Sequence, residues 1–339
     1  MPELRKDLIT REWVVIAKER MKRPGDFNHQ RQEAAVVTKD HSVCPFCEGN
    51  EAMTPSEICA LRDISTRPDS PGWKVRVIPN KFPALEREIS FTRDSVGIYE
   101  RMDGMGAHEV VIETPEHGSR FSDLSIDRIQ DILKVYQRRY MELRREPYLK
   151  YVLVFRNYGK VAGASIDHSH SQIIATPVIP QQVWTHVKGM EQYYEYRARC
   201  VYCHIFEAEE SEEIRVVARN KYFLSIEPYA SKYPFETWII PKKHKPHFFE
   251  AMAEELKCLA EILKETLHRI HICLDDAPYN LMFINAPWSY QSLFHWHIEI
   301  IPRLTISAGF ELGTGMYINV VAPEDAARYL RDAESKGGE

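Results

Sequence analysis

Two cysteine pairs and several histidines supply the donor atoms that bind metal ions in proteins. Each C-x-x-C pair is followed by a histidine after a predicted strand and then by a histidine of an H-x-H motif. Two thiolates with two imidazoles make a closed tetrahedral zinc site, which can brace a loop but cannot activate water. A redox C-x-x-C, or unrelated buried cysteines, would be the alternative. The two predicted zinc sets are Cys44, Cys47, His117 and His168, and Cys200, Cys203, His244 and His295.

The segment from Gly163 to Gln172 has the sequence G-A-S-I-D-H-S-H-S-Q and leads into a predicted strand. Alternation along a strand places His168, His170 and Gln172 on one face. One imidazole can therefore bind metal while the next reaches a substrate. Ser165, Ser171 and Gln172 can donate hydrogen bonds to phosphate oxygens. The pattern favours phosphoryl or nucleotidyl transfer through a phosphorylated histidine, with two purely structural histidines as the alternative.

Hydrophobic patterning places these side chains on two similar sets of elements. In each half two strands precede a long amphipathic helix and two strands follow it. The first helix carries apolar residues from Ile126 to Leu143, and the second carries them from Leu256 to Ile270. The predicted strands are Val75–Pro79, Glu109–Thr114, Tyr151–Asn157, Ser171–Pro177, Tyr222–Pro228, Thr237–Lys242, Tyr279–Asn285 and His297–Pro302.

The histidines indicate that the two halves are copies of one unit. Three histidine pairs are each separated by 127 positions: His117 and His244, His168 and His295, and His170 and His297. Three coincidences at one offset among 14 histidines indicate an ancient duplication. The fold class that follows is α+β, with mainly antiparallel sheets and helices packed on one side, divided into residues 1–190 and 191–339. His108, His204 and His247 have no partner at this offset and rank lower as metal ligands.

Composition excludes several classes of protein. The chain of 339 residues has 44 basic and 49 acidic residues, a net charge of −5, so we expect no nucleic-acid partner. Apolar residues make up 44%, yet no apolar run is long enough to span a bilayer, so we expect no membrane partner. The charged start M-P-E-L-R-K-D-L-I-T-R-E-W lacks a secretory apolar core, and we expect a cytoplasmic protein. The polar segment Lys18–Lys39 is predicted to lie extended on the surface.

Several separated motifs resemble the galactose-1-phosphate uridylyltransferase family of the histidine-triad superfamily, over nearly the whole chain. Each motif is modest alone, and together they are specific. They are C-P-F-C at Cys44, R-V-I-P-N-K-F-P-A-L at Arg76–Leu85, E-T-P-E-H at Glu113–His117, H-S-H-S-Q at His168, P-F-E-T-W-I-I-P-K-K-H at Pro234–His244, F-H-W-H at Phe294–His297 and A-G-F-E-L-G-T-G at Ala308–Gly315.

This resemblance implies two histidine-triad-like halves and a ping-pong nucleotidyl transfer. By analogy, His170 attacks the α-phosphate of a nucleotide sugar and a sugar 1-phosphate leaves; a second sugar phosphate then takes the nucleotide. Gln172 matches the glutamine that replaces the last histidine of the triad, and a neutral amide cannot act as a general acid or base. The family also implies a homodimer whose partner chain completes each site.

The resemblance also assigns substrate contacts by motif. Contacts to the nucleotide and its phosphates fall on Arg20, Arg23, Asn80, Asn157 and Ser165, and contacts to the sugar fall on Phe310 and Glu311. The second H-x-H is followed by Glu299 instead of glutamine, so we interpret it as a degenerate structural copy.

Two departures from the family pattern leave the substrate open. Ser169 stands where the best-known members have proline, and Lys81 stands where they have aspartate. The serine resembles the plant-type branch that is similar to ADP-glucose phosphorylases. Most motifs, including Glu311 in the sugar segment, nevertheless resemble the uridylyltransferases, so we expect a uridylyltransferase acting on UDP-hexose and hexose 1-phosphate. The alternatives are an adenylyltransferase of the ADP-glucose phosphorylase type that uses inorganic phosphate, and a non-catalytic nucleotide-binding protein stabilised by zinc.

Overall fold

The computed structural model of the chain describes residues 1–30, 43–87 and 92–333. The strands are β1 Glu3–Lys6, β2 Trp13–Ile16, β3 Cys59–Arg62, β4 Trp73–Pro79, β5 Arg93–Val96, β6 Tyr99–Met102, β7 Ala107–Ile112, β8 Tyr151–Tyr158, β9 His170–Thr176, β10 Val216–Arg219, β11 Phe223–Ile226, β12 Thr237–Pro241, β13 Tyr279–Ile284, β14 His297–Pro302 and β15 Tyr317–Asn319. The helices are α1 Ile126–Arg144, α2 Gln181–Arg197, α3 Val201–Glu212, α4 Ala253–Cys273, α5 Gly309–Thr314 and α6 Pro323–Ala333.

Within these residues, one antiparallel sheet of ten strands runs through both halves in the order β10-β11-β12-β14-β13-β8-β9-β7-β4-β3. The two halves meet where β8 pairs with β13, with Tyr158 opposite Tyr279. The α+β class and the antiparallel pairing are confirmed, but the duplicated units share a single sheet instead of having one each. A division after residue 190 would fall inside α2.

Helices α1 and α4 pack side by side on one face of this sheet and form its main core. They begin 127 residues apart, the same offset as the histidine pairs. Apolar residues at helical spacing bury one face of each helix, and the Ser125 hydroxyl caps α1 by accepting from the Arg128 N–H at 3.2 Å. Side chains of both halves contribute to this one core, so the halves are packed as a single body.

The opposite face of the sheet is covered differently in the two halves. Helices α2 and α3 cover the strands of the second half with a separate apolar cluster. Over the first half lies a smaller cluster that includes Cys44, Phe46 and Cys47, next to strands β4 and β7. This half of the face is the part of the sheet open to a ligand.

Smaller elements complete the described structure. Strands β1, β2 and β15 form a three-stranded sheet, and β5 pairs with β6 in an exposed hairpin. Residues Lys18–Arg20 and Pro24–Gln30 form short 3-10 helices instead of the extended chain expected from Lys18 to Lys39, and positions 31–42 lie outside the described residues. Among the helices described, none combines the length and apolar character needed to cross a bilayer.

Candidate active site and metal centres

Strand β9 presents alternate side chains to the two faces of the sheet, as its sequence predicts. Ser169 and Ser171 lie on the face covered by α1, where both hydroxyls are bonded. His168, His170 and Gln172 lie on the open face with the cysteine loop. Alternation along the strand has therefore aligned His168, the predicted metal ligand, with His170 and Gln172 on one face.

His170 has the tautomer of a nitrogen nucleophile. Its Nδ1 lies 2.7 Å from the backbone oxygen of His168. Because a carbonyl only accepts, Nδ1 carries the proton and Nε2 keeps its lone pair. The side chain is 7% exposed, with the Phe46 ring 5.4 Å away centroid to centroid. Burial lowers the pKa of His170, which keeps the imidazole neutral.

A buried ion pair beneath β9 holds the histidine strand from the helix side. Glu113, fully buried after β7, pairs with Arg156 of β8. Arg156 donates to the His170 carbonyl at 3.2 Å, and the Ser169 hydroxyl donates to Glu113 Oε2 at 2.7 Å. The hydroxyl of Tyr136 in α1 lies 2.9 Å from Glu113 Oε1. The sequence alone does not predict this network, because isolated charges in apolar strands carry no periodic signal.

The same alternation removes Ser171 from the expected phosphate contacts. Its hydroxyl lies 2.6 Å from the Tyr136 oxygen and its side chain is 1% exposed. A residue one position after His170 on a strand must point to the opposite face. The expectation that Ser171 donates to phosphate is therefore wrong, and its role is to anchor β9 to α1.

Gln172 meets a cluster of polar side chains on the open face. Its Oε1 lies 2.7 Å from Nε2 of His108, a residue of β7. Asn80, at the end of β4, lies beside the same ring, with Nδ2 3.1 Å from that nitrogen. His108 is thus not a metal ligand in this arrangement. Asn157 of β8 is also on this face, where its Oδ1 accepts from Asn280 at 2.8 Å.

The other proposed substrate residues are spread over several segments. Ser165 is exposed on the loop before β9, and Arg20 and Arg23 are exposed after β2. Phe310 and Glu311 lie in α5, which packs against β15 of the small sheet. Glu311 caps its own helix by accepting from the Ala308 N–H at 3.0 Å. Of the predicted substrate residues, Asn80 and Asn157 share the open face of the sheet with the predicted catalytic residues His170 and Gln172.

The first predicted metal set converges at the end of β7 and the start of β9. The four ligand atoms of Cys44, Cys47, His117 and His168 all lie within 4.8 Å of one another. The Cys47 sulfur is 3.3 Å from Nδ1 of His117 and 3.6 Å from Nδ1 of His168. A tetrahedral zinc ion places sulfur and nitrogen ligands about 3.5 Å apart. The cluster therefore has the spacing of a closed metal site.

The second set repeats this geometry. The Cys203 sulfur is 3.7 Å from Nδ1 of His244 and 3.5 Å from Nδ1 of His295. The paired imidazoles cross at 81°, compared with 78° in the first cluster. Cys200 completes the four, with all ligand atoms again within 4.8 Å. The duplication seen in the histidine spacing is thus also a duplication of a three-dimensional cluster.

Backbone carbonyls fix the tautomers that metal binding needs. Nε2 of His168 lies 2.7 Å from the Thr114 oxygen, and Nε2 of His295 lies 2.8 Å from the Pro241 oxygen. Each ring therefore carries its proton on Nε2 and turns the Nδ1 lone pair towards two sulfurs. Burial and the adjacent Cys44 raise the pKa of the Cys47 thiol to about 11. A bound cation would offset that cost by stabilising the thiolates.

The two remaining rival histidines have other contacts. His204 is hydrogen-bonded to the Tyr193 hydroxyl. His247 is fully buried and stacks on Phe249 with centroids 4.8 Å apart. Both sit outside the two four-residue clusters among the residues described.

The second H-x-H motif is covered more completely than the first, in which His170 is 7% exposed. His297, the counterpart of His170, is fully buried and has the Tyr202 ring 4.4 Å away. The ring of His186 in α2 stacks parallel to the ring of His297, and Oε1 of Glu299 lies 3.2 Å from Nε2 of His297. These helices prevent His297 from meeting a substrate, which agrees with its interpretation as a structural copy. The contact of His186 with His297 could not be predicted from the duplication, because α2 has no equivalent in the first half.

A cavity of about 950 Å³ lies elsewhere, between the turn after β1 and helices α2 and α3. Its lining includes Lys6, Arg11, Tyr196 and Tyr229, and neither His170 nor Gln172. The reactive geometry is therefore at an open face of the sheet and not in this cavity.

Comparison with known proteins places the chain in a family. The family model described as galactose-1-phosphate uridyl transferase, N-terminal domain, matches residues 1–180, more than half of the chain. The chain belongs to the galactose-1-phosphate uridylyltransferase family. A second model, described as a domain of unknown function (DUF4921), matches residues 106–333. Membership in the galactose-1-phosphate uridylyltransferase family makes this chain a nucleotidyl-transferring enzyme.

Relatives of this family member carry two different names. The ADP-glucose phosphorylase of Arabidopsis thaliana is 39% identical over 337 residues, covering 98% of this chain and 93% of that protein. The galactose-1-phosphate uridylyltransferase of Thermotoga maritima is 30% identical over 345 residues, covering 98% and 99%. The crystal structure of the Arabidopsis phosphorylase with bound ADP-glucose has a TM-score of 0.81 at 36% identity, covering 98% of this chain and 99% of that one.

Proposed function

We propose that this protein transfers an adenylyl group from ADP-glucose to inorganic phosphate through a covalent intermediate on His170. The observation that carries the proposal is the His170 tautomer: Nδ1 is held by the His168 carbonyl, which leaves Nε2 unprotonated on the open face. The choice of nucleotide rests on similarity, 39% to an ADP-glucose phosphorylase against 30% to a uridylyltransferase.

The reaction has two displacements at one phosphorus atom. In the first, the Nε2 lone pair attacks the α-phosphorus of ADP-glucose, and the bond to the bridging oxygen breaks. Glucose 1-phosphate leaves with that electron pair, and His170 becomes adenylylated. In the second, an oxygen of inorganic phosphate attacks the same phosphorus, the bond to Nε2 breaks, and ADP is released with His170 restored.

Neighbouring residues bind and orient the phosphates. Gln172 lies on the same face and can hold phosphate oxygens, but as an amide it gives water no proton relay. The intermediate should therefore persist until a phosphate acceptor arrives. Asn80 and Asn157 lie on this face as further donors. Ser165 is exposed on the loop before β9, and we propose it as a further donor to the phosphates.

The two Cys2His2 clusters fit zinc, which would be bound by Cys44, Cys47, His117 and His168 and by Cys200, Cys203, His244 and His295. A zinc ion with four protein ligands supplies structural cross-linking and no open position for chemistry. In the first cluster, His168 ties the cysteine loop to the strand that carries His170 two residues later.

Uridylyl transfer between UDP-hexose and hexose 1-phosphate is the second candidate function. The family model over residues 1–180 and the Thermotoga relative favour it. In this reading the same histidine chemistry applies and only the base and the acceptor differ. Lys81, exposed beside Asn80, is the residue whose departure from the family pattern bears on the base.

Loading the enzyme with a single nucleotide sugar tests the proposal. Protein mixed with ADP-glucose alone should release one equivalent of glucose 1-phosphate, stop, and gain the mass of one adenylyl group. Adding inorganic phosphate should then discharge ADP. His170→Asn is the matched variant and should gain no mass.

The same experiment with UDP-glucose separates the candidates. Loading by UDP-glucose and discharge by galactose 1-phosphate would replace the first proposal with the second. Rapid hydrolysis of the loaded form without an acceptor would contradict both, because it requires a proton relay that Gln172 does not provide.

We also propose that the enzyme is a homodimer in which sugar contacts come from the partner. Phe310 and Glu311 lie in α5, against the small sheet, and not beside His170. Leu312 and Ile306 of the same region are 78% and 82% exposed, so a partner chain packed against α5 would cover them. Light scattering should give twice the chain mass of 39.6 kDa, and a monomer mass in active protein would contradict the dimer.

A further inference from the structure

The orientation of the Gln172 amide decides whether it attracts or repels a phosphate. A side-chain amide has an oxygen that accepts and a nitrogen that donates, with nearly the same shape when exchanged. Only the nitrogen can bond a phosphate oxygen, since two oxygens facing each other repel. The hydrogen-bond partners of Gln172 therefore set its usefulness at His170.

The neighbouring His108 determines that orientation through its own tautomer. The Ala84 backbone N–H donates to Nδ1 of His108 at 3.1 Å. A backbone N–H can only donate a hydrogen bond, so Nδ1 must be the unprotonated nitrogen that accepts it. A neutral imidazole then carries its only proton on Nε2, which lies 2.7 Å from Gln172 Oε1.

Asn80 offers no competing acceptor to that proton. Its Oδ1 already accepts from the Phe82 N–H at 2.9 Å, which turns Nδ2 towards His108. Nδ2 is a donor, so the Nε2–H of His108 cannot bond to it. The Gln172 oxygen is the acceptor that remains.

We infer that His108 is a positioning residue that takes up the Gln172 oxygen and so leaves the Gln172 amide hydrogens for the phosphate at His170. The inference rests on the proposed function for the identity of the group bound there. The orienting chain runs from a backbone N–H through an imidazole to the amide, and it contains no group that needs to change protonation during turnover.

The second half of the molecule lacks this arrangement, as it lacks an open nucleophile. In the sheet register Val110 faces Gln172, and Trp238 faces Glu299. His108 stands two residues before Val110 on β7, and Glu236 stands two residues before Trp238, just ahead of β12. Both oxygens of Glu236 already accept, one from the Trp238 indole N–H at 3.0 Å and the other from the Lys232 N–H at 2.7 Å. Glu299 instead lies 3.2 Å from His297 Nε2. The donor at this position thus occurs in the half whose histidine is on the open face.

A double-mutant cycle on the rate of His170 loading tests the inference. His108→Phe removes the donor and should slow single-turnover loading by ~10²-fold, within the ~10²–10³-fold range for losing an oxyanion donor. His108→Gln, whose amide can still donate to Gln172, should restore most of the rate. In a Gln172→Ala background, His108→Phe should cause little further loss. His268→Phe on the exposed face of α4 is the matched control.

Two outcomes would overturn the inference. If His108→Phe and Gln172→Ala multiplied their effects, His108 would act independently of the amide, for example by shaping the Asn80 loop. Nitrogen NMR of the resting protein gives an answer that does not depend on substrate: it should show His108 protonated on Nε2, and protonation on Nδ1 would contradict the orientation. If wild type were loaded by neither nucleotide sugar, the proposed function would fail, while the NMR result would still decide the tautomer.

Discussion

At the scale of single residues, His170 and His297 each make the same type of hydrogen bond to the backbone, but they differ in how accessible they are to a substrate. Nδ1 of His170 bonds to the oxygen of the residue two positions earlier at 2.7 Å, and Nδ1 of His297 does the same at 3.2 Å. His297 is enclosed by Tyr202, Trp238 and His186. Glu299 accepts from Nε2 of His297 at 3.2 Å, so this copy lacks the free lone pair that His170 keeps, and the surrounding rings also separate it from a phosphate.

Replacing the histidines of the first motif should separate their roles. His170→Asn should abolish covalent loading and leave the zinc content and the unfolding midpoint unchanged, since an amide is no nucleophile. His168→Asn should instead lower the zinc content by one equivalent and reduce stability. Intact-protein mass, elemental analysis and denaturant unfolding measure these results. Substantial turnover in His170→Asn would disprove covalent catalysis at this residue.

Ser169 should contribute to stability, because its hydroxyl bonds a buried charge. The hydroxyl donates to Glu113 Oε2 at 2.7 Å and lies 3.3 Å from an Arg156 nitrogen. Ser169→Ala removes one bond to a charged group, so we expect unfolding free energy to fall by about 1.5–3 kcal/mol. Urea unfolding measures the change, with Ser165→Ala as the exposed control. An equal effect of both substitutions would show that the network does not hold Ser169.

At the scale of elements, the two clusters brace different parts of the sheet. The first joins the cysteine loop to the strand of His170, and the second joins the start of α3 to the end of β12 and the start of β14. Because their surroundings differ, the same type of site should have different consequences when broken.

Cysteine substitutions should reveal that difference. Cys44→Ser should remove about one of two zinc equivalents and most loading activity, because the loop that packs Phe46 on His170 loses its anchor. Cys200→Ser should also remove one equivalent and lower stability while sparing more of the activity. Cys258→Ser in α4 is the control outside both clusters. Zinc content unaffected by all three changes would contradict the proposed ligands.

The sequence was most informative where a pattern repeats. Helices α1 and α4 and the eight predicted strands lie within one to three residues of their predicted ends. Helices α2 and α3 have no counterpart in the first half, so the duplication could not predict them. The pairing of β8 with β13 could not be predicted either. The apolar pattern of each strand shows which face is buried and does not show which strand lies beside it. Glu113 and Arg156 appear as lone charges in sequence, and only the fold brings them together.

At the scale of the whole molecule, a buried carboxyl couples stability to pH. Glu227 is fully buried after β11, its Oε1 accepts from the Thr237 hydroxyl at 2.7 Å, and the described residues give its Oε2 no partner. Burial raises its pKa well above the usual value. The folded chain therefore keeps a proton that the unfolded chain releases above pH of about 4.3.

Stability should accordingly fall as pH rises above that value, by up to about 1.4 kcal/mol per pH unit from this group. Glu227→Gln keeps the shape of the side chain but cannot ionise. The free energy of unfolding of this variant, relative to that of wild type, should therefore increase between pH 5 and pH 8. Urea unfolding at each pH measures the difference, and Glu19→Gln on the surface is the control. Parallel pH profiles for wild type and Glu227→Gln would show that Glu227 is ionised in the folded protein.

The pairing of β8 with β13 has a consequence for any attempt to separate the halves. In the intact chain the residues from Tyr151 to Tyr158 lie in the middle of a sheet. Cut free, either half would end in a long apolar edge strand with unpaired N–H and C=O groups, a template for association with other chains. An isolated half should therefore aggregate or self-associate through this strand, and co-expression of both halves should restore a soluble complex.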